Sequence, residues 1–159
     1  MSYWDAANEQ ILQHNYKLFV LYYTEWKNTP YVNTYSQYAL LANIHNALCN
    51  GKNGKSKENG KISHDLKKII HYLIQEGADA QVALNQVANT DDVAFVKELL
   101  SMENTNAQDA LDFLQDRRGV RFFTRKGTAE LYLKSIVLDQ QSAGIQEDEA
   151  SKRRHCILS

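Results

Sequence analysis

The residues with the clearest chemical potential stand at the C-terminal end of the sequence. Cys156 is the fourth residue from the end and is followed by Ile157, Leu158 and Ser159. A cysteine thiolate is a good nucleophile and can form a thioether. The only other cysteine is Cys49, so no disulfide framework is expected, and a reducing compartment fits best. Cys156 is therefore the residue of this segment that could form a covalent bond to another group.

This tetrapeptide resembles a CaaX prenylation box, in which a cysteine is followed by two aliphatic residues and a terminal residue that selects the transferase. The resemblance implies that Cys156 receives the lipid and that a prenyltransferase reads Ile157, Leu158 and Ser159. A terminal serine implies a farnesyl group rather than a geranylgeranyl group. Removal of the last three residues and methylation of the new carboxylate would follow. The alternative is an unmodified cysteine in a polar tail.

A basic cluster directly before the cysteine supports membrane binding. One lipid chain binds membranes only marginally, on the order of 10⁴ M⁻¹ for a myristoyl group, so a second signal is normally needed. Lys152, Arg153 and Arg154 provide positive charges that are worth roughly 1 kcal/mol each near an anionic leaflet. The acidic residues 147–149 partly offset them. Without the lipid, a solvated charged tail would be the preferred interpretation.

Other candidate centres carry weaker signals. His45 and Cys49 stand four residues apart on one helical face and give the alternative hypothesis, a small membrane-recruited enzyme with a Cys/His centre. Residues 51–56 end in Gly-Lys-Ser like a phosphate-binding loop, but the first glycine of that motif is missing and no strand precedes them. The basic and aromatic residues at 117–126 could contact phosphates of lipid headgroups or nucleic acid, but a solvated turn with two core phenylalanines is the preferred interpretation. No metal and no cofactor are predicted.

The composition excludes several classes of protein. With 159 residues, 43% of them apolar, the chain is long enough for one domain with its own core. A formal charge of −1 gives no field that would attract nucleic acid, so no nucleic-acid partner is expected. The N-terminus lacks the pattern of a secretory signal, and the longest apolar stretch, 18–23, is far shorter than the roughly 20 residues of a membrane span.

Apolar periodicity predicts an all-α fold. Residues 1–140 are expected to form one domain of about six to seven helices, with a long first helix over 4–26 and a flexible loop at about 50–61. The aromatic stripe of the first helix is expected to pack into the core. Residues 141–159, which contain little that is apolar, are expected to form a disordered tether that carries the basic patch and the CaaX box.

An internal repeat with an offset of 27 residues lies in the second half of the sequence. Residues 65–84 align with 92–111 at seven identical positions, and Asp79 aligns with Asn106, a pair of suitable helix caps. Each unit is predicted to be a helix, a tight turn, a cap and a second helix. Pieces of 65–115 resemble ankyrin repeats, although the Thr-Pro-Leu-His signature is missing. The resemblance implies protein binding rather than catalysis.

The acidic residues 147–149 before a short polar C-terminus resemble the acidic block in the type IV secretion signals of Legionella-type effectors, some of which also end in CaaX boxes. The resemblance implies a secreted bacterial effector on the cytosolic face of a host membrane. A eukaryotic origin, with a prenyltransferase of the same cell, stays open. The expected partners are a prenyltransferase, an anionic membrane surface and a protein bound by the helical surface. The protein itself is expected not to be an enzyme.

Overall fold

The computed structural model describes residues 2–30, 34–50, 61–118 and 127–157, and within these ranges every regular element is a helix. The predicted all-α class is confirmed. Residues 51–60, most of the predicted loop, lie outside the described ranges. The elements are α1 (Tyr3–Leu12), α2 (Tyr16–Lys27), α3 (Thr34–Asn50), α4 (His64–Gln75), α5 (Ala80–Val87), α6 (Val93–Leu100), α7 (Ala107–Arg118) and α8 (Thr128–Ile157).

The predicted single helix over 4–26 is wrong, because the chain turns between α1 and α2. His14 adopts a left-handed conformation with φ of 52°, which a right-handed helix cannot contain. The next residue, Asn15, accepts a hydrogen bond from the Leu18 amide at 3.2 Å and caps α2. An Asn side chain offers the backbone this local alternative to a continuous helix, and apolar spacing does not reveal it.

The aromatic stripe lies in the core, as predicted. Phe19, Tyr23 and Trp26 of α2 are buried. Tyr72 of α4 makes edge contacts with the rings of Phe19 and Tyr23, at centroid distances of 6.2 and 5.5 Å. Trp4 brings α1 onto the same cluster, 5.0 Å from the Trp26 ring. Aromatic burial therefore joins the first two helices to the repeat region.

The remaining helices stack in succession on this cluster. α3 contacts α5, α5 contacts α7, and α2 contacts α4. α4 meets α6 where the His71 ring packs edge-on against Phe95 and its Nε2 atom lies 3.0 Å from a Glu98 carboxylate oxygen. α8 closes the stack against α6 and α7. Each pair of helices thus buries its apolar face against the next pair.

The 27-residue repeat corresponds to two helix–turn–helix units, α4–α5 and α6–α7, as predicted. The two turns share their backbone geometry, since Gly77 and Asn104 are equivalent positions and both have positive φ, 98° and 61°. Asp79 caps α5, and Asn106 accepts a hydrogen bond from the Asp109 amide at 2.7 Å. Gly and Asn are the residues that tolerate this conformation best, so the turn is encoded locally in both units.

The turn between α5 and α6 fixes the start of α8. The amides of Gly127, Thr128 and Ala129 donate to Asn89 Oδ1, Asp91 Oδ1 and the Thr90 carbonyl oxygen, at 3.0, 2.9 and 3.1 Å. These bonds satisfy amides that a helix N-terminus leaves without partners. A Cβ atom at Gly127 would overlap the backbone oxygens of this turn and would lie 2.5 Å from that of Thr90. Only glycine fits here without a shift of the backbone.

Gly127→Ala is therefore expected to lower the free energy of unfolding by about 2 kcal/mol or more, since the new methyl group meets backbone rather than a movable side chain. Urea denaturation followed by circular dichroism measures the loss. Gly144→Ala is the matched control: Gly144 lies inside α8 with open space around it, so the change should be neutral or should stabilise the protein by up to roughly 1 kcal/mol. Equal stability of the two variants would contradict the conclusion that only glycine fits at position 127.

A buried carboxylate ties the first repeat unit to the second. Asp92 accepts hydrogen bonds from the amides of Ile62 and Phe95, both at 3.2 Å, and lies 2.6 Å from the Lys67 ammonium group. Burial alone raises the pKa of Asp92, but the Lys67 ammonium group and the two amides outweigh it, and the pKa lies below its ordinary value. The folded protein therefore favours the ionised form.

Folding lowers the pKa of Asp92, so the ionised carboxylate stabilises the folded protein at pH values above the unfolded-state pKa of about 4. This stabilisation is lost as the pH falls through the folded-state pKa. Asp92→Asn should cost about 2 kcal/mol at neutral pH. The difference from the unmodified protein should shrink as the pH falls towards about 3. Urea midpoints at several pH values measure this difference, and a pH-independent difference would be the contrary result.

The C-terminal segment differs from the predicted disordered tether, because α8 continues through residues 141–157 as a helix. The segment contains no proline, and Ala, Gln, Glu, Lys and Arg, all good helix formers, are frequent in it. The helix in this segment also continues from the first turn of α8, which the turn at Asn89 holds in place. The unfavourable nucleation of a new helix is therefore avoided. The low apolar content of the segment agrees with its lack of packing on the body. The expectation that the segment is not helical was wrong.

Candidate lipid-anchor site

The last two thirds of α8 project from the helical body. Ala129 and Leu133 are buried, and Ile136 and Val137 are half-buried, whereas every residue from Leu138 to Arg154 is exposed. At 1.5 Å per residue, the helix from Leu138 to its end at Ile157 is about 30 Å long. The helical body and the predicted anchor are thus joined by a helical arm rather than by a coil.

The three basic residues of the predicted membrane contact lie on this arm. The side chains of Lys152, Arg153 and Arg154 are all exposed. Lys152 lies 3.8 Å from Asp148, one turn earlier, in a fully accessible ion pair. Exposed pairs of this type are weak and screened by salt, so Lys152 can exchange its partner for a lipid phosphate at little cost. The arrangement leaves three cations within one turn of Cys156.

The last turn of α8 holds the backbone of Cys156 and Ile157, while Leu158 and Ser159 lie outside the described residues. A prenyltransferase takes the C-terminus of its substrate in an extended form, so this turn would have to unwind. None of the residues from Asp139 to Arg154 is buried, and unwinding the end of the arm therefore opposes only local helix propensity. Helical structure at Cys156 is compatible with access by the enzyme.

A shallow groove between the two repeat turns is a second candidate site. It has a volume of about 640 Å³ and runs between the end of α4 and the turn after α6. Ile74, Ala78 and Met102 form its apolar part, and the exposed residues Asp79 and Glu103 give its rim a negative charge. Such a groove suits a segment that carries an aliphatic residue beside a basic one. This groove is called the repeat-turn groove below.

The Cys/His centre gains no support from the geometry. His45 is half-buried in α3, where burial and then the Arg117 guanidinium group lower its pKa and favour the neutral ring. Cys49 lies four residues later on the same helix, and its side chain is outside what the structure describes, as are residues 51–56 of the predicted phosphate-loop match. Within the described ranges, no cluster of three or more His, Cys, Asp and Glu side chains is arranged to hold a metal.

Sequence reasoning missed a contact between a histidine and a serine far apart in the chain. His14 Nδ1 lies 2.8 Å from Ser63 Oγ, and His14 Nε2 lies 3.3 Å from the Ala47 carbonyl oxygen. Donation from Nε2–H to that carbonyl leaves Nδ1 to accept the Ser63 proton. Ser63 Oγ also accepts from the Leu66 amide as the cap of α4. These hydrogen bonds connect the turn between α1 and α2 to α3 and α4. His14 and Ser63 are 49 residues apart, so no local sequence pattern indicates their contact.

The basic and aromatic stretch at 117–126 lies largely outside the described residues. Its first member, Arg117, places its guanidinium group 4.6 Å from the centre of the Phe113 ring, one turn earlier on α7. This stacking gives the Arg117 guanidinium group an aromatic partner within α7.

Comparison with protein-family models, with curated proteins and with solved structures gives no match to this chain. No helix in the described ranges combines the length and the apolar character that a membrane span requires.

Proposed function

We propose that this protein is a prenyl-anchored helical interaction module that acts at the cytosolic face of a host membrane. The observation that carries the proposal is that Cys156, the first residue of the Cys156-Ile157-Leu158-Ser159 sequence, lies in the last turn of an exposed helical arm. A transferase can engage this end without disturbing any buried residue of the body. The catalytic step belongs to the transferase, and Cys156 is its substrate.

The anchor combines two signals that are each too weak alone. A farnesyl group on Cys156 supplies apolar contact with the bilayer, and one such chain holds a protein only transiently. Lys152, Arg153 and Arg154 add attraction to an anionic leaflet, roughly a hundredfold in affinity together. The cations and the lipid lie within about one helical turn, so both reach the same patch of membrane.

The repeat-turn groove is the proposed site for the protein partner. Its acidic rim at Asp79 and Glu103, above an apolar floor, favours a partner segment in which a large aliphatic residue lies next to Lys or Arg. The groove lies in the repeat units, whereas the anchor lies on the arm of α8. The module can therefore hold a partner while it is bound to the membrane.

The proposed source of the protein is a bacterium that translocates it into a host cell, where the host prenyltransferase modifies it. The exposed acidic residues Glu147, Asp148 and Glu149 on the arm, close to the C-terminus, support this proposal through their resemblance to type IV secretion signals. Their exposure leaves them accessible to a secretion receptor before the lipid is attached.

Prenylation is tested by intact-mass analysis of the chain after co-expression with farnesyltransferase. The expected result is a farnesyl-sized mass gain that is absent from Cys156→Ser. Ser159→Leu should change the preferred lipid to geranylgeranyl, because the terminal residue selects the transferase. The proposal requires Ser159 to be the C-terminal residue, which the same measurement verifies. A free Cys156 thiol beside active transferase would refute the proposal.

Partner binding is tested with immobilised peptides that carry one large aliphatic residue and either Lys or Glu as neighbours. Basic peptides should bind and acidic ones should not, and Glu103→Lys should weaken binding at least tenfold. Asp116→Lys makes the same charge change at an exposed position of α7 outside the groove and should have little effect. Equal effects of the two variants would show that general charge, and not the groove, determines binding.

A further inference from the structure

Three exposed aliphatic residues form a line along α8. Leu131, Leu138 and Ile145 have exposed fractions of 57%, 62% and 64%, among the largest for apolar side chains in the described residues. They are seven residues apart, and seven residues fall only about 20° short of two full helical turns. The three residues therefore share one face of the helix. This face is called the aliphatic line below.

The aliphatic line points away from the helical body and leads to Cys156. Leu133 and Ile136, through which α8 packs on the body, lie roughly on the opposite side of the helix. Cys156 follows Ile145 by eleven residues, about 20° more than three turns, and so belongs to the same face. A lipid on Cys156 and the three aliphatic residues would thus meet one surface.

The residues beside the line argue against a partner helix. A coiled-coil seam needs apolar residues at alternating spacings of three and four. Here the residues three positions after each aliphatic residue are polar, namely Lys134, Gln141 and Asp148. The residues four positions after are polar too, namely Ser135, Ser142 and Glu149. A second helix would have to desolvate these groups to cover one aliphatic side chain in every seven residues.

A bilayer surface accommodates the same pattern. Isolated aliphatic side chains can enter the acyl boundary while polar neighbours stay among the headgroups. Lys152, seven residues after Ile145, lies close to the line and can reach anionic headgroups. Asp148 and Glu149 lie about 60° and 40° from Ile145 around the helix and oppose this attraction.

We propose that α8 lies along the surface of an anionic bilayer with its aliphatic line inserted, so that the arm is a membrane-binding element rather than a spacer. This inference rests on the proposed function, because the lipid on Cys156 brings the arm to the membrane. The contact gives the body a fixed orientation, with the α8 face that packs on α6 and α7 directed away from the lipid.

The orientation is tested on the full chain with Cys49→Ser, enzymatically farnesylated on Cys156 and then labelled with an environment-sensitive fluorophore at Ile145→Cys or Ala143→Cys. Positions 143 and 145 are about 160° apart around the helix. On vesicles of phosphatidylcholine with phosphatidylserine, the label at 145 should shift to the blue and be quenched by lipid-borne quenchers. The label at 143 should remain in water. Equal exposure of both labels to water on the vesicle-bound protein would overturn the inference.

Affinity provides an independent measurement. Leu138→Gln with Ile145→Gln should weaken vesicle binding of the farnesylated chain about tenfold, and Glu149→Gln should strengthen it severalfold. Leu18→Gln with Leu21→Gln removes exposed leucines of α2 and should change nothing. If the farnesylated chain binds equally well with and without the α8 changes, the inference fails and the proposed function stands.

The two proposals fail in distinguishable ways. If the transferase leaves Cys156 unmodified, the proposed function fails. In that case a farnesyl maleimide attached to Cys156 in the Cys49→Ser chain supplies the lipid, and the same glutamine variants decide whether α8 contacts the bilayer. An unchanged affinity of the chemically lipidated variants would then overturn the inference as well.

Discussion

The structure depends on the short turn from Asn89 to Asp92, where three segments of the chain meet. The Asp92 carboxylate is buried and accepts from Lys67 and from the amides of Ile62 and Phe95. The three residues before it accept hydrogen bonds from the amides of Gly127 and of the first two residues of α8. A buried carboxylate without these partners would be costly, so the Asp92 contacts hold Ile62, Lys67 and Phe95 at this turn. They place both repeat units and α8 relative to each other.

The turn from Asn89 to Asp92 divides α8 into a fixed first part and an exposed arm. The first ten residues of α8 are held by the turn and by burial of Ala129 and Leu133. Beyond them the helix is exposed, and only local hydrogen bonds and helix propensity maintain it. The arm can therefore unwind at its end for a modifying enzyme while its start stays fixed in the body. A continuous helix also preserves a face over its length, which a coil would not.

The repeat units show how local and tertiary constraints combine to build a surface. Gly77 and Asn104 each allow a left-handed turn, and the caps that follow start α5 and α7. The turns are then joined by Gln81, which exchanges hydrogen bonds with the backbone of Asn106 at 2.7 and 3.3 Å. Each turn is thus fixed internally, and the Gln81 side chain fixes the two turns to each other, so both walls of the repeat-turn groove are held in place.

The sequence by itself determined the features that depend on residues close together in the chain: the helical class, the repeat with its two capped turns and the buried aromatic stripe. It did not predict the break at His14, because apolar spacing does not reveal the local cap at Asn15. The contacts of the His14 ring with Ala47 and Ser63, which lie 33 and 49 residues away, gave no sequence signal either. It also misassigned 141–157, since composition reports the lack of packing but not the helix that propagates from a fixed start. Only the tertiary structure decided which helices meet, how Asp92 is paired, and that the aliphatic line of α8 faces away from the body, since each of these follows from contacts between distant residues.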